Sequence, residues 1–418
     1  MPSHTFWVET LGCPKNQVDS DKLAGTLVAD GLTAAAGPGE ADVVVVNTCA
    51  FIEAAREESV ATVLSLAESR RPGARLVVTG CLAERYGDEL ASVLPEADQV
   101  SGFGVPVALG RARASAEIVP AMDLLELPRP PASAPWAYLK IAEGCDRACG
   151  FCAIPSFRGR QRSRRPEDLL AEVDALGARE IVLVAQDLAS YGRDAPGIGG
   201  GALVPLVAAV AQRVARVRLL YLYPSELDDA LVEAIGATGV PYFDLSLQHV
   251  SRPLLRRMRR WGDGRRFLER IAAIRRRWPD AAFRSNFLIG YPGETEEDHD
   301  QLLAFLDEAQ LDWCGFFAYS REAGTYGASL GDSVDAALVT DRLAEVGERQ
   351  DAITARRRQA LIGRTVEVLV DRPGVGRTHR EAPEIDGIVL VPPSIPVGEL
   401  APVVVTGAAG PDLIARVA

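Results

Sequence analysis

The chain has 418 residues, which is too long for one ordinary core and predicts two or three domains. Apolar residues make up 48% and charged residues 24%, as in a folded globular protein, and neither a long apolar run nor a leader-like opening is seen. We therefore expect a cytoplasmic protein with no membrane partner. The net charge of −12 disfavours nucleic acid binding over the whole surface and suits a basic protein partner.

The first third of the chain alternates short apolar runs with helical patterns. The predicted strands are Phe6–Glu9, Val43–Val46 and Leu76–Val78, and the predicted helices are Ser20–Asp30, Glu53–Ser69 and Ala83–Leu94. Because alternating strands and helices form parallel sheets, residues 1–130 are expected to fold as a doubly wound parallel α/β domain. The proline-rich stretch Leu125–Pro135 is expected to be a stiff linker at its end.

The same alternation resumes at Trp136 and predicts a second domain over residues 131–360. Its predicted strands are Tyr138–Ile141, Ile181–Ala185, Val217–Tyr221, Phe243–Leu247, Phe283–Ile289 and Cys314–Ala318. Helical patterns between them include Pro166–Leu176, Leu203–Ala215 and Thr295–Ala309. Six β/α units predict a partial or complete (β/α) barrel, whose active site should lie at the C-terminal ends of the strands.

A charged helix and a β-rich tail complete the predicted elements. The helix covers Ala336–Ala360, and the tail contains the predicted strands Thr365–Val370, Gly387–Val391 and Pro402–Thr406. Short strands that alternate with Gly and Pro are typical of a small β-barrel. We expect this barrel over residues 361–418.

Three closely spaced cysteines, Cys145, Cys149 and Cys152, follow the first predicted strand of the barrel. The cytosol is reducing, so cysteines there serve more often as ligands than as disulfides. A [4Fe-4S] cluster normally takes four thiolates, and three would leave one iron open to chelate S-adenosylmethionine (SAM). The alternative is zinc, which prefers four Cys or His ligands, but no fourth ligand lies nearby in sequence. Phe151, just before the last cysteine, also favours the cluster.

Three further cysteines are dispersed, and each follows a strand of the predicted parallel sheet. Cys13, Cys49 and Cys81 should therefore gather at one edge of that sheet, where ligands of such folds bind. A shared metal site with three thiolates is favoured, and the alternative is that each cysteine packs as a small apolar side chain. Cys314 has no partner motif and is expected to be a core residue.

These motifs closely resemble those of the radical SAM methylthiotransferases, and the resemblance covers essentially the whole chain. The matching segments are Thr10–Asn16, Val18–Ser20, Asn47–Cys49, Gly80–Leu82, Tyr138–Cys145 and Ile154–Gly159. At the first cysteine the chain reads Gly12-Cys-Pro-Lys-Asn16, which is similar to the branch acting on ribosomal protein uS12. The branch acting on tRNA adenosine typically reads Gly-Cys-Gln-Met-Asn. The resemblance implies an N-terminal cluster domain, a radical SAM barrel and a C-terminal TRAM β-barrel.

The resemblance also implies cofactors, partners and a reaction. Two [4Fe-4S] clusters, on the triplets of Cys145 and of Cys13, would serve methylthiolation of an aspartate of uS12 with SAM. A sulfur donor and an external reductant such as flavodoxin or ferredoxin would be partners. By position after barrel strands, Gln186, Gln248 or its neighbour His249, Gly290 and Glu294 are candidate SAM contacts, with Phe151 beside the cluster. Ordinary turn chemistry is the alternative for each.

Two other functions stay open at this point. The stretch Arg252–Trp278 contains eleven arginines, which would suit tRNA as the substrate, although a solvated helix face explains the same pattern. A non-catalytic iron-sulfur module that binds RNA would explain the arginines and the β-barrel tail. The intact spacing of Cys145, Cys149 and Cys152 argues against that second alternative.

Overall fold

The computed structural model describes residues 4–103 and 123–418. The α-helices of these residues are α1 Pro14–Ala29, α2 Glu53–Ser69, α3 Cys81–Val93, α4 Ile154–Arg158, α5 Pro166–Leu176, α6 Leu203–Ala211, α7 Asp229–Gly236, α8 Arg252–Arg257, α9 Gly264–Arg277, α10 Glu296–Ala309 and α11 Ala336–Gln359. The strands are β1 Thr5–Thr10, β2 Thr33–Ala34, β3 Val43–Thr48, β4 Arg75–Gly80, β5 Gln99–Val100, β6 Trp136–Lys140, β7 Ala142–Glu143, β8 Arg162–Ser163, β9 Glu180–Val184, β10 Arg216–Leu219, β11 Tyr242–Gln248, β12 Ala282–Ile289, β13 Trp313–Ala318, β14 Thr365–Arg372, β15 Val375–Arg377, β16 Val389–Leu390, β17 Leu400–Ala409 and β18 Asp412–Val417.

These elements form two units, each built from separate stretches of the chain. The first unit contains Met1–Pro131, Ala142–Asp146 and Ala153–Arg164, and the second contains the remaining residues. Two short segments that follow the predicted boundary at residue 130 therefore belong to the N-terminal unit. The predicted domain 1–130 also includes both stretches that lie outside the described residues.

The sheet of the first unit has five parallel strands in the order β2-β1-β3-β4-β5. Val45 of β3 packs with Leu27 of α1 on one face, and Val46 packs with Val63 of α2 on the other. Successive side chains of a strand point to opposite faces, so the valine run of β3 is buried on both sides. The predicted doubly wound parallel α/β fold is confirmed.

Six parallel strands of the second unit form an open (β/α) barrel. They lie in two runs, β6-β9-β10 and β11-β12-β13, which are joined where Leu222 pairs with Leu245. There the amide of Leu222 donates to the carbonyl of Asp244, and its carbonyl accepts from the amide of Ser246, both at 2.9 Å. No ladder of the described residues joins β6 to β13, so the barrel is a partial one.

The C-terminal tail forms a closed barrel of five strands in the order β14-β15-β16-β18-β17. Its core is apolar and includes Val368, Val403 and Leu413, all fully buried. The predicted small β-barrel is confirmed, although the sequence did not indicate β18, which follows a turn at Gly410 with a positive φ of 58°.

The end of β15 and the segment that follows it pack against the N-terminal ends of the barrel strands. Arg377 lies 3.1 Å from Glu180, the first residue of β9. The indole N–H of Trp313, the first residue of β13, donates to the carbonyl of Arg380 at 2.6 Å. The N-terminal ends of these strands are therefore occupied by structural contacts, which leaves the C-terminal ends for chemistry, as is usual for barrels of this kind.

One helix begins earlier than its sequence pattern predicts. The pattern placed it at Ser20–Asp30, whereas α1 starts at Pro14, with Cys13 as its N-terminal cap in an extended conformation. Proline suits this first position because a helix has no use for an N–H there and because the ring fixes φ. The prediction of the start was wrong because Cys-Pro-Lys-Asn reads as a loop by composition.

The proline-rich stretch after residue 125 packs against α1 within the first unit. The ammonium of Lys22 donates to the carbonyl of Leu125 at 2.5 Å, and Arg129 forms an ion pair with Asp21. A side chain at Gly25 would come within 3.0 Å of the Pro128 carbonyl oxygen. The first half of the expected linker is thus a packed segment. Among the described helices, none is long and apolar enough to cross a membrane.

Candidate functional site

Cys13, Cys49 and Cys81 each follow the end of a strand in the first unit. The strands are β1, β3 and β4, which are neighbours in the sheet. Thr48 of β3 pairs with Gly80 of β4, so Cys49 and Cys81 are the next residues along two aligned parallel strands. The structure therefore brings the three predicted residues to one edge of the sheet. This edge is the C-terminal one, where ligands of parallel α/β folds bind.

Two glycines allow the backbone to pass close to these cysteines. Gly12 has φ of +93°, and a Cβ there would lie 2.8 Å from Cys49 Sγ. Gly80 has φ of +91°, and a Cβ there would lie 2.6 Å from the Thr48 amide nitrogen. Larger residues would be strained by the positive φ and would collide with the neighbouring strand.

Asn16, fully buried in the first turn of α1, ties two of the strand ends together. Its side-chain amide donates to the carbonyl of Leu11 at 2.9 Å and to the carbonyl of Thr48 at 3.1 Å. Its side-chain oxygen lies 3.6 Å from Cys81 Sγ. One residue of α1 therefore fixes the loop before Cys13 relative to the residue before Cys49.

Arg158, at the end of α4, is buried beside this cysteine triplet. One terminal nitrogen donates to Cys81 Sγ at 3.0 Å and to the Asn16 side-chain oxygen at 2.6 Å. The other donates to the carboxylates of Asp19 and Glu143, both at 3.0 Å. Arg158 was not predicted as a site residue, because nothing local to residue 158 indicates that it contacts residues near the N-terminus.

The charges and burial of the site shift the pKa values of the three thiols in different directions. Burial alone would raise the pKa of Cys13, but Lys15, Arg158 and two backbone amides lower it below its ordinary value. Burial and then the neighbouring Cys13 raise the pKa of Cys49 to about 12. Burial also raises the pKa of Cys81, against the opposing effect of Arg158. Because each of the last two pKa values responds to Cys13, the three sulfurs lie within electrostatic reach of one another.

Residues 147–152, which include Cys149 and Cys152, lie at the C-terminal end of the barrel in the second unit. The Arg147 guanidinium lies 2.6 Å from Asp187, in the loop after β9, and 3.6 Å above the ring of Tyr223, which follows β10. The amide of Gly150 donates to the carbonyl of Met258 at 2.8 Å. Loops after three successive strands thus hold this segment in place, which is where barrel enzymes carry their chemistry.

Gly150 leaves no room for a side chain. A Cβ there would lie 2.7 Å from the hydroxyl of Tyr291 and 3.2 Å from the ring of Tyr326. The flanking Cys149 has its sulfur 3.4 Å from the guanidinium of Arg260. Close packing of loop residues around the motif therefore fixes the positions of Cys149 and Cys152.

Cys145 belongs to the first unit, where it follows β7. Its amide donates to the carbonyl of Gly159 at 3.1 Å. The preceding Gly144 has φ of +79°, and a Cβ there would lie 2.1 Å from the carbonyl oxygen of Arg160. The close approach of the chain beside the paired strands β7 and β8 therefore requires glycine immediately before this cysteine.

The predicted SAM contacts of the second unit all follow barrel strands or flank the cysteines. Gln186 follows β9, and Gln248 is the last residue of β11 with an unusual φ of +69°. Gly290 follows β12, and its amide donates to the carboxylate of Glu294 at 2.6 Å. That carboxylate also accepts from Arg342 at 2.9 Å, so Glu294 stabilises the turn. Phe151 is half-buried between Gly150 and Cys152.

His249 is fully buried next to Gln248, and one of its ring nitrogens finds no hydrogen-bond partner among residues 4–103 and 123–418. Its Nδ1 accepts from the amide of Ser251 at 3.1 Å, and its Nε2 is the unpartnered atom. Burial lowers the pKa of His249 to about 4, so the ring is neutral near pH 7. It can therefore donate a hydrogen bond through Nε2 but carries no charge.

Two further residues with strained backbones lie at the same end of the barrel. Tyr221 follows β10 with φ of +64°, and Arg259 follows α8 with φ of +55°. Non-glycine residues adopt such values at a cost of about 1–3 kcal/mol, and they concentrate at functional sites. Neither residue was predicted from the sequence, because a residue type alone does not reveal a left-handed conformation.

Most arginines of the Arg252–Trp278 stretch have partners within the second unit. Arg257 pairs with Asp332 at 2.6 Å, Arg270 with Asp229 at 2.6 Å and Arg277 with Glu233 at 2.8 Å. Arg275 donates to the carbonyl of Ala309 at 2.6 Å. These contacts favour self-paired helix faces over a surface for binding RNA.

The thiols of Cys13, Cys49 and Cys81 fit an iron-sulfur cluster as a set of ligands. In the part of the chain that the structure describes, no three His, Cys, Asp or Glu side chains surround one point closely enough to hold a single metal ion. A [4Fe-4S] cluster makes a different demand, because each thiolate binds a different iron. Three thiols on one sheet edge, with a buried cation beside them, meet that demand in type and position.

Three family profiles match successive parts of the chain. They are described as uncharacterized protein family UPF0004 at residues 5–102, the radical SAM superfamily at residues 139–306 and the TRAM domain at residues 362–418. A solved structure of the radical S-adenosylmethionine methyltransferase TsrM from Kitasatospora setae covers 76% of this chain and 75% of its own, at 13% identity and a TM-score of 0.49.

Three curated relatives match the chain over nearly its full length, and all three carry the name ribosomal protein uS12 methylthiotransferase RimO. The protein from Anaeromyxobacter sp. (strain K) is 43% identical over 98% of this chain and 92% of its own. The Streptomyces coelicolor protein is 41% identical over 99% and 97%. The Moorella thermoacetica protein is 44% identical over 92% of each chain.

Proposed function

The chain belongs to the family of radical SAM methylthiotransferases that act on ribosomal protein uS12, and we infer from this that it is a SAM-dependent enzyme that attaches a methylthio group to the β-carbon of a uS12 aspartate. One structural observation supports the proposal independently of family membership. In addition to the motif of Cys145, Cys149 and Cys152, the chain brings Cys13, Cys49 and Cys81 to one edge of a parallel sheet. A basic ribosomal protein is also a suitable substrate for a chain of net charge −12. Action on a ribosomal protein implies a cytoplasmic location.

Each cysteine triplet is assigned to one [4Fe-4S] cluster. Cys145, Cys149 and Cys152 would hold the cluster that binds SAM, and Cys13, Cys49 and Cys81 would hold the other. When bound, the two clusters supply the electron that cleaves SAM and the site from which sulfur is transferred. An external sulfur donor and a reductant such as flavodoxin or ferredoxin complete the proposal.

The residues of the chain position these groups. Arg147 clamps residues 147–152 to the loops after β9 and β10, which keeps the reacting groups in a fixed geometry. Gln186, Gln248, Gly290 and Phe151 are proposed to contact SAM, and Glu294 is proposed to act at the same turn. A neutral, buried His249 beside Gln248 offers an additional hydrogen-bond donor that bears no charge.

The direct test offers two substrates to the anaerobically reconstituted enzyme. With reductant, SAM and sulfide present, uS12 and tRNA are incubated side by side and analysed by mass spectrometry. A methylthio group on the uS12 aspartate is expected. The same modification on tRNA alone would reassign the substrate, and an absence of 5′-deoxyadenosine with every substrate would refute the radical SAM activity.

Iron content tests the ligand assignment separately from turnover. About eight irons per chain are expected in the reconstituted wild type, and about four after Cys13, Cys49 or Cys81 is changed to Ala. Cys314→Ala is the matched control, because Cys314 belongs to neither triplet and its loss should leave about eight irons in place. Equal iron in Cys81→Ala and wild type would contradict a cluster on Cys13, Cys49 and Cys81.

A further inference from the structure

Both terminal nitrogens of the Arg158 guanidinium bind groups that surround Cys13, Cys49 and Cys81, a set called here the first triplet. Its side chain is 2% exposed, and each terminal nitrogen makes two contacts. Toward the cysteines these are Cys81 Sγ and the Asn16 side chain, and on the other side they are Asp19 and Glu143. The planar fork matches four acceptors at once, which the three-donor ammonium of a lysine on a flexible stem could not do in the same geometry.

Packing holds this fork in one orientation. The guanidinium carbon lies 4.1 Å from the centroid of the Phe103 ring, so an aromatic face covers one side of the group. Phe157, the preceding residue, is part of the apolar core that also contains Val46 and Val78 of the sheet. The position of Arg158 is thus set by the fold of the first unit, and the contact with Cys81 does not depend on a mobile surface side chain.

The electrostatic balance explains why a cation is needed here. Asp19 and Glu143 are buried carboxylates within the same hydrogen-bond network, and thiolates that bind a cluster would add further negative charge. A cluster held by three thiolates becomes more negative when it is reduced. Positive charge and N–H donors at the ligand sulfurs stabilise the reduced form and raise the reduction potential.

We propose that Arg158 is a positioning residue for the site of Cys13, Cys49 and Cys81: it orients the Cys81 sulfur and raises the reduction potential of a cluster bound there. This inference rests on the proposed function, because it assumes that the triplet holds an iron-sulfur cluster. Glu143 has the opposite electrostatic effect, since it places a negative charge on the far side of the same guanidinium.

The experiment isolates this cluster in the full-length chain. A parent variant with Cys145, Cys149 and Cys152 changed to Ala should retain only the first triplet and about four irons. Arg158→Met, Arg158→Lys and Glu143→Gln are then introduced one at a time. Iron content and the midpoint potential, from a redox titration followed by electron paramagnetic resonance, are measured for each. Arg160→Met is the matched control, because the Arg160 side chain is 90% exposed.

The expected shifts differ in sign. Arg158→Met should lower the midpoint potential and the iron content, and Glu143→Gln should raise the potential while iron is retained. Arg158→Lys should keep the potential closer to that of the parent but hold less iron, because the charge remains and the fork is lost. Arg160→Met should match the parent in both measurements.

Two outcomes would overturn the inference, and a third would refute its premise. If Arg158→Met does not fold, equal potentials for the parent and Glu143→Gln would suffice to reject the electrostatic role. Iron content in Arg158→Lys equal to that of the parent would reject the role of the fork. A parent variant that holds no iron would instead refute the cluster assignment under the proposed function, and the inference with it.

Discussion

At the scale of single residues, the cysteine sites depend on what stands beside each sulfur. Gly12 and Gly80 let the backbone reach positive φ values next to Cys49 and Thr48, and Gly150 admits two tyrosines against the backbone between Cys149 and Cys152. In each case a Cβ would come within 3 Å of an atom of a neighbouring residue. These glycines are therefore sterically required in the loops that carry the cysteines.

Changing Gly150 to Ala should displace the loop of Cys149 and Cys152. The added methyl group would lie 2.7 Å from the hydroxyl of the buried Tyr291 and 3.3 Å from the carbonyl of Met258, so the loop or the Tyr291 ring must shift. We expect the reconstituted variant to lose about four of about eight irons and to form no 5′-deoxyadenosine. Iron analysis and chromatography of the SAM products measure this.

The control is Gly197→Ala, where a Cβ would meet no atom of the described residues within 4 Å. It should keep the iron content and product formation of the wild type. A Gly150→Ala enzyme with full iron content would show that the loop tolerates the extra methyl group and would contradict the packing argument.

The positions of the cysteines at strand ends could be predicted from sequence, but the residues around them could not. The spacing of Cys145, Cys149 and Cys152 is local, and Cys13, Cys49 and Cys81 repeat one strand-end position, so both patterns can be read along the chain. Arg158 reaches Asn16 across 142 residues, and no periodicity records such a contact. Left-handed backbone at Tyr221 and Arg259 is likewise set by tertiary packing.

At the scale of elements, hydrophobic periodicity was sufficient to predict the bounds of an element that has a continuous buried face. Helices α2 and α5 have the predicted bounds, and the six barrel strands lie within a few residues of theirs. Short elements escaped notice, such as β7 and β8 with two residues each, because two residues define no period. Helix α1 was predicted to start at Ser20 rather than Pro14 because its first turn contains proline and polar residues.

Helix α10 allows a test of how a cap contributes to stability. Thr295 accepts from the amide of Asp298 at 3.2 Å, and the Asp298 carboxylate accepts from the amide of Thr295 at 2.9 Å, which completes a capping box. Thr295→Ala should lower the free energy of unfolding by about 1 kcal/mol, because one N-terminal amide loses its acceptor. Chemical denaturation followed by circular dichroism measures the change.

Thr340→Ala provides the comparison within another helix. Thr340 is exposed in α11, and its hydroxyl donates back to the carbonyl of Ala336 at 3.0 Å. That change should be neutral or slightly stabilising, because alanine is the better helix former. Equal destabilisation by both changes would contradict the assignment of the capping box.

At the scale of the whole molecule, buried ion pairs hold the C-terminal β-barrel to the (β/α) barrel in the second unit. Glu180 lies between Arg218 and Arg377, and Glu381 pairs with Arg358 of α11. Removing one partner of a buried pair leaves an uncompensated charge, which costs about 3–5 kcal/mol. The junction should therefore respond strongly to loss of a single charge.

Glu381→Gln should destabilise the protein at pH 7 and much less in acid. Burial opposes ionisation of Glu381, but Arg358 and Thr378 outweigh it and lower its pKa to about 2. The carboxylate thus contributes its full stability above its ordinary pKa of 4.5 and loses it as the pH falls toward 2. The difference between variant and wild type should be about 3–5 kcal/mol at pH 7 and should shrink between pH 4.5 and 2.

Denaturation series at several pH values measure this difference. Glu399→Gln is the control, because Glu399 is exposed, and it should change the unfolding free energy by no more than about 0.5 kcal/mol. A Glu381→Gln penalty that stays constant down to about pH 2 would show that the charge of Glu381 is not its source.

The first unit is built from separate stretches of chain, and this limits where the protein can be truncated or recombined. A truncation at residue 131 would remove Arg158 and Glu143 from the cysteine edge of the sheet, and Ala153 and Phe157 from the core beneath it. Chimeras that exchange this unit between relatives should therefore carry residues 142–146 and 153–164 together with residues 1–131. For recombination, the module is discontinuous, and its three stretches must come from the same parent.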